Sequence, residues 1–185
     1  IGGLNYGMLF ADGGELKVSV NSTSERLDAP VLIGANLTIA PGEYRFEDAG
    51  VKYQSNKSAP LSGSIDATAG EFWTGRQRAV NGSVRVRVNA HVAASASVGR
   101  SAVDLPQGSF AATLVGLRLD WSFTPRMFLN AFIQYNGEAD AWLSNVRFNL
   151  IHRPLSDIYV VWNETRFPGV TKRALLLKYT QLIAF

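Results

Sequence analysis

The chain has 185 residues, no cysteine, a net charge of +3 and only 18% charged residues, against roughly 25% in an average soluble domain. The missing thiols exclude disulfide scaffolds, thiol catalysis and cysteine-based zinc sites. Basic residues are scattered without a Lys/Arg run, so we expect no nucleic-acid partner. No stretch approaches the ~18 consecutive apolar residues of a membrane helix.

Apolar and polar residues alternate along nearly the whole chain, and this period of two predicts β-strands. The stretches "LNYGMLF", "SVRVRVN" and "ATLVGLRLDWSF" are clear examples. We predict about eleven antiparallel strands, taken in chain order as residues 1–10, 15–25, 42–54, 60–72, 78–89, 92–101, 109–123, 127–136, 141–152, 157–166 and 172–185.

The predicted connections fall into two alternating sets. The shorter set is 11–14, 56–60, 89–91, 124–126 and 153–156. The longer or more polar set is 26–41, 73–77, 102–108, 137–140 and 167–171. Strands of ~10 residues match the length that crosses a bilayer when tilted, and this loop asymmetry is typical of outer-membrane barrels. The sequence therefore predicts an all-β, antiparallel transmembrane β-barrel that occupies residues 1–185 as a single domain.

One face of the predicted strands is polar and the other apolar. We expect the charged residues of the polar face to point into a lumen: Lys52, Asp66, Arg85, Arg87, Arg118, Asp120, Arg147 and Lys178. Two interpretations stay open. The charges bind or conduct anions, as charged rings do in pores, or they form mutually paired networks that fill the interior.

Aromatic residues cluster toward both ends of the predicted strands, which indicates two girdles at the lipid headgroups. The interface set is Trp73, Tyr135, Trp142 and Trp162 near outer ends, and Trp121, Phe123 and Phe185 near inner ends. The terminal strand "LLLKYTQLIAF" ends on an aromatic residue. Its residues Tyr179, Ile183 and Phe185 resemble the C-terminal signal by which outer-membrane proteins are recognised for insertion.

The sequence shows no catalytic, cofactor or metal site. His91 and His152 lie at short turns without an acid or serine at a telling offset. Glu138 and Asp140 lie in an outer loop and are weak evidence for a cation site. A barrel with both termini on the periplasmic side needs an even strand number, so the eleven strands are expected to be the C-terminal part of a larger barrel.

Several motifs resemble the barrel region of the DUF5916 family of bacterial outer-membrane proteins. They are "LRLDWSFTPR" (117–126), "QYN" (134–136) and "RPLSD" (153–157). His152, Trp121 and Trp162 depart from the family's usual aromatic or tyrosine. The resemblance implies a location in the bacterial outer membrane, and an N-terminal domain similar to carbohydrate-binding-module family 9 that these 185 residues do not include.

From these features we expect a membrane anchor, pore or scaffold without catalysis. Its expected partners are outer-membrane lipid, the insertion machinery through the C-terminal strand, and other membrane protein chains. One alternative is a β-barrel subunit of a larger membrane assembly. The other is a soluble all-β ligand-binding domain with its apolar residues inside, because alternation alone does not say which face is interior.

Overall fold

A computed structural model describes residues 2–33 and 37–182 of the chain. Its strands are β1 (Gly2–Leu9), β2 (Glu15–Leu27), β3 (Val31–Ile33), β4 (Leu37–Ile39), β5 (Gly42–Gln54), β6 (Leu61–Phe72), β7 (Gly75–Arg87), β8 (Val92–Leu105), β9 (Gly108–Thr124), β10 (Met127–Asn136), β11 (Ala141–Arg153), β12 (Ser156–Phe167) and β13 (Val170–Thr180). The predicted all-β class is confirmed. Within these residues no helix has the length and apolar character needed to cross a membrane.

Eleven of the strands form one sheet in the order β1-β2-β5-β6-β7-β8-β9-β10-β11-β12-β13, and β3 pairs with β4 separately. Pairs such as β1–β2, β2–β5, β10–β11 and β12–β13 are antiparallel. Each strand of the large sheet therefore pairs with its nearest neighbours along the chain, as in a meander. The eleven predicted strands and their antiparallel pairing are confirmed.

The predicted contrast between short and long connections is wrong in most places. β8 and β9 extend to Leu105 and from Gly108, so that only residues 106–107 separate them. Residues 73–74 and 168–169 are likewise two-residue turns. The polar, Gly- and Pro-containing residues at these sites continue the hydrogen-bonded ladder, because a tight hairpin needs special backbone geometry only at its two central positions. The connection after β2 remains long.

That long connection contains a hairpin that was predicted as loop. Val31 lies opposite Ile39, and Ile33 lies opposite Leu37. Three-residue strands are too short to give a recognisable alternation, but two apolar triplets separated by a glycine-containing segment are a usable hairpin signal.

The chain divides into two compact units. Unit 1 comprises Ile1–Gly82 and Gly99–Thr113, and unit 2 comprises Ser83–Val98 and Leu114–Phe185. Ile39, Val103 and Leu105 form a buried cluster in unit 1. In unit 2, Val161 of β12 is buried.

Candidate functional site

The strand register assigns side chains to two faces, because residues directly opposite each other in an antiparallel pair point to the same side. In unit 2, Asn130 lies opposite both Asp120 and Arg147. Ala131 lies opposite Leu119 on the other side. We call these sides the polar face and the apolar face, and we use the same names for unit 1.

The charged residues predicted for one face in unit 2 do share it. Arg118 and Asp120 alternate along β9, and Arg147 joins them through Asn130. Arg85 reaches the same face, since its Nη1 lies 3.6 Å from an Asp120 carboxylate oxygen. Arg87 lies two residues after Arg85 on β7 and so points to the same face. Lys178 lies opposite Tyr159, and Tyr159 lies opposite Asn149, which is two residues from Arg147 on β11. The register thus places these residues on one face, and the prediction that they face a lumen stays a prediction.

In unit 1 the polar face is a ladder of small and charged side chains. Lys52 lies directly opposite Asp66, and the prediction that both face a lumen stays a prediction. The Asn81 amide donates to the Asp66 carboxylate at 3.5 Å, and Asn21 donates to Asp48 at 2.8 Å. Side-chain hydrogen bonds therefore link β2 to β5 and β6 to β7 on this face.

Part of the charged face of unit 2 is paired and part is not, so anion binding or conduction stays a prediction. Asp120 is paired, because Arg85 lies beside it and Asn130 donates to it at 2.9 Å. Arg118 and Arg147 have no carboxylate partner among residues 2–33 and 37–182. Their guanidinium carbons lie instead 5.2 Å from the Phe132 ring centroid and 5.4 Å from the Tyr159 ring centroid.

A hollow on the polar face brings these two arginines together. It has a volume of about 430 Å³, and the residues that line it include both arginines, Phe132, Asn130 and Asn145. Sequence reasoning found the arginines but not the rings beneath them. The usable signal was Phe132, an aromatic residue in the polar register of "LNAFIQYN".

The β3–β4 hairpin covers part of the polar face of unit 1. Ser101 accepts a hydrogen bond from Gln77, which shares the polar register of β7 with Asn81. Val103 and Leu105 follow Ser101 at alternate positions and so lie on the same face. Ile39 of the hairpin, 1% exposed, packs against them. The ends of these strands near the long connection are therefore shielded on their polar side.

Trp73 belongs to the same arrangement. Its backbone has a φ of 48°, its ring lies 4.7 Å from that of Phe72, and its indole N–H donates to Glu25 at 2.9 Å. The side chain packs against the hairpin cluster. Its predicted place at the lipid interface stays a prediction.

The apolar face carries many large side chains that nothing covers in this chain. Leu4, Ile65, Leu117, Leu175 and Leu177 are all more than half exposed. Soluble monomers rarely expose contiguous apolar patches above a few hundred Å². We call this part of the face, in each unit separately, the apolar belt.

Charged residues on the apolar face of unit 2 are confined to one end of the strands. Glu164 of β12 lies opposite Arg173 of β13 and accepts from it at 2.7 Å, and Arg166 contacts the same carboxylate at 3.3 Å. In unit 1, Arg26 lies opposite Glu43 at the ends of β2 and β5 next to the long connection. We call these groups the charged collar.

The predicted interface aromatics occupy different heights on the apolar face of unit 2. Tyr135 and Trp142 pair across β10 and β11, with ring centroids 4.8 Å apart, at one end. Trp121 and Phe123 stack at 4.3 Å near the other end of β9. Trp162 lies in the middle of β12, opposite Val146 and Leu175, so its predicted position near an outer strand end is wrong.

The C-terminal signal is described only in part. Tyr179 lies near the end of β13, and its ring stacks on His152 with centroids 5.6 Å apart. His152 thus fills a place on the apolar face that suits an aromatic ring. Ile183 and Phe185 lie outside the described residues.

Together, fold and faces define an all-β antiparallel meander with an exposed apolar belt and a polar face. No group of three or more His, Cys, Asp or Glu side chains that could hold a metal occurs in the part of the chain that the structure describes.

Comparison with known proteins gives one similar solved structure and no family. No family model and no curated protein matches the chain, so its resemblance to the DUF5916 family stays a prediction. The solved structure is a KdgM porin in complex with disordered oligogalacturonate. It has 11% sequence identity and a TM-score of 0.43, over 98% of this chain and 91% of that chain.

Proposed function

We propose that this chain forms wall strands of a transmembrane β-barrel in a bacterial outer membrane and acts there as a water-filled pore. The apolar belt is the observation that carries the proposal. Its side chains are exposed to the surroundings, and lipid is the solvent in which such exposure is favourable. The charged collar supports the same orientation, since charged residues on the lipid side are tolerated near the headgroups and not at the midplane.

The strand order also bears on how such a wall closes. An open sheet edge is not tolerated in hydrocarbon, because its N–H and C=O groups would lack partners. In an antiparallel meander of eleven strands the first and last strands run in the same direction, so they would pair in parallel. We propose that further strands or a partner chain complete the wall. Membrane anchoring and scaffolding follow from the same architecture.

Two adjacent leucines of β13 test which face meets lipid. Leu177 lies opposite Val160 on the apolar face and is 70% exposed, whereas Leu176 lies opposite Val161 on the polar face and is 53% exposed. If the belt meets lipid, Leu177→Arg lowers the free energy of unfolding in bilayers by about 2–4 kcal/mol. Leu176→Arg, the matched control, changes it by less than about 1 kcal/mol.

The measurement is urea unfolding of the protein in liposomes. The folded fraction at each urea concentration is read from heat-modifiable migration on a gel. Equal effects of the two substitutions, or folding to high concentration without detergent, would contradict a lipid-facing belt. Conductance steps in planar bilayers would then support the pore. A folded, inserted protein whose wall is completed by the further strands or partner chain and that still shows no conductance would refute the pore and leave the anchor or scaffold role.

We also propose that the chain belongs to the DUF5916 family and that the outer-membrane insertion machinery recognises its C-terminal strand. Tyr179 closes the apolar belt on β13, which supports recognition of this strand during insertion. Replacing Tyr179 with Ser should slow assembly into outer membranes in cells, while folding of the purified chain in detergent changes little. Equal slowing in both settings would mean that Tyr179 only stabilises the strand through its contact with His152.

A further inference from the structure

Arg118 and Arg147 are held in an unusual way for charged residues of a polar face. Each guanidinium lies over an aromatic ring, at 5.2 Å from Phe132 and 5.4 Å from Tyr159. A contact with a ring face does not occupy the guanidinium N–H groups, and neither arginine has a side-chain hydrogen bond or ion pair within the described residues. Those edge donors match the two oxygens of a carboxylate or phosphate in a bidentate arrangement.

The acid nearest to both arginines does not neutralise them. Asp120 lies two residues from Arg118 along β9, and Asn130 separates it from Arg147. Its oxygens already accept a hydrogen bond from Asn130 and contact Arg85. Among the described residues of unit 2, the basic side chains of the polar face outnumber the acidic ones even without Arg87: Arg85, Arg118, Arg147, Lys172 and Lys178 against Asp120 and Asp157.

The register also sets the spacing of the two arginines. They lie two strands and two residues apart, which is on the order of 12 Å between their Cα atoms. Both line the same hollow of about 430 Å³, together with Asn130 and Asn145. A ligand with oxyanion groups at two points fits this spacing better than a single small ion does.

We propose that the Arg118–Arg147 hollow binds a small molecule that carries two or more oxyanion groups, either carboxylates or phosphates. The two arginines hold its ends by bidentate, charge-assisted hydrogen bonds. This proposal depends on the proposed function in one respect: the polar face must be in contact with water. In a pore it would be a binding site that favours multivalent anions over monovalent ones.

The test uses the full chain folded in detergent and isothermal titration calorimetry at constant ionic strength. The probes are citrate and pyrophosphate, with acetate and chloride as simple anions. We expect saturable binding of citrate or pyrophosphate with a dissociation constant on the order of 1 mM, and no saturation by acetate or chloride in the same range. Tighter binding of citrate would indicate a carboxylate ligand, and tighter binding of pyrophosphate would indicate a phosphate ligand.

Conservative substitutions separate fork recognition from simple charge attraction. The double variant Arg118→Lys and Arg147→Lys keeps both charges but loses the planar fork and the ring stacking, so we expect binding to weaken about tenfold or more. Arg78→Lys is the matched control, because Arg78 is next to Gln77 on β7 and so points to the apolar face of unit 1. We expect it to change nothing.

Two results would overturn the site. One is citrate and pyrophosphate binding no better than acetate, and the other is unchanged binding in the double lysine variant. Heat-modifiable migration of each variant reports whether the barrel has formed, and if the double variant does not fold, the single variants replace it. A folded barrel without citrate or pyrophosphate binding refutes the site alone, whereas the Leu177 and Leu176 pair decides the proposed function.

Discussion

Ile39 is the side chain that fixes the β3–β4 hairpin to the polar face of unit 1. It is 1% exposed and packs against Val103 and Leu105. Ile39→Ala removes three carbon groups, which is about 2.4 kcal/mol of transfer free energy at about 0.8 kcal/mol each. A residual cavity adds to this, so we expect about 3 kcal/mol in total.

That loss should act on hairpin docking before it acts on the sheet. The large sheet is held by its own ladders, while the hairpin joins it through the cluster around Ile39. About 3 kcal/mol corresponds to a rise of roughly 100-fold in the population of the undocked hairpin. Amide hydrogen exchange of β3 and β4 should accelerate by this factor, because exchange reports local opening. Amides of β5 should not change.

Leu32 supplies the matched control for Ile39. It belongs to the same hairpin but is 67% exposed, so Leu32→Ala should leave exchange nearly unchanged. If Ile39→Ala leaves the exchange of β3 and β4 as in the wild type, or if Leu32→Ala accelerates it equally, the hairpin is not held by this cluster. The reasoning about a shielded polar face would then be wrong.

Two further predictions concern the backbone. Leu155 has a φ of 57° and is 76% exposed, so Leu155→Gly should raise the free energy of urea unfolding by about 0.5–1 kcal/mol, whereas Leu155→Ala should not; no gain with glycine would mean the turn is unstrained. A Cβ at Gly75 would overlap the Asp104 carbonyl oxygen, so Gly75→Ala should lower that free energy by about 1–3 kcal/mol. Gly7, with open space around it, is the control; equal effects at both positions would contradict the clash.

Strand positions were largely predictable from the sequence, and connections were not. The bounds of β5 and β10 match their predicted ranges because alternation and turn residues agree there. The end of β8 was placed at 101 instead of Leu105. Pro106 and the polar residues around it suggested a loop, yet Val103 and Leu105 continue the alternation and are buried by the hairpin. A contact between segments distant in sequence is not visible in a local pattern.

The same limit applies to the candidate site. Period two was enough to place Arg118 and Arg147 on one face, since register follows from alternation. It did not show that each would lie over a ring, because that depends on which strands pair and at what offset. Phe132 lies directly opposite Arg118, and Tyr159 lies two positions from Val161, the residue opposite Arg147. These offsets depend on the length and geometry of the turns. The turn lengths predicted from the sequence were wrong at several other connections.

The meander order has a consequence for how the chain acquires its structure. Nearly every ladder joins strands that follow one another directly, so each can form as soon as its second strand is available, with little loop-closure entropy. The pairing of β2 with β5 is different, because residues 28–41 lie between them. If the β3–β4 hairpin forms first, it shortens the effective distance between β2 and β5. The hairpin would then speed the pairing of β2 with β5 during folding, before it shields part of the polar face. The β2–β5 ladder would still be the slowest to form.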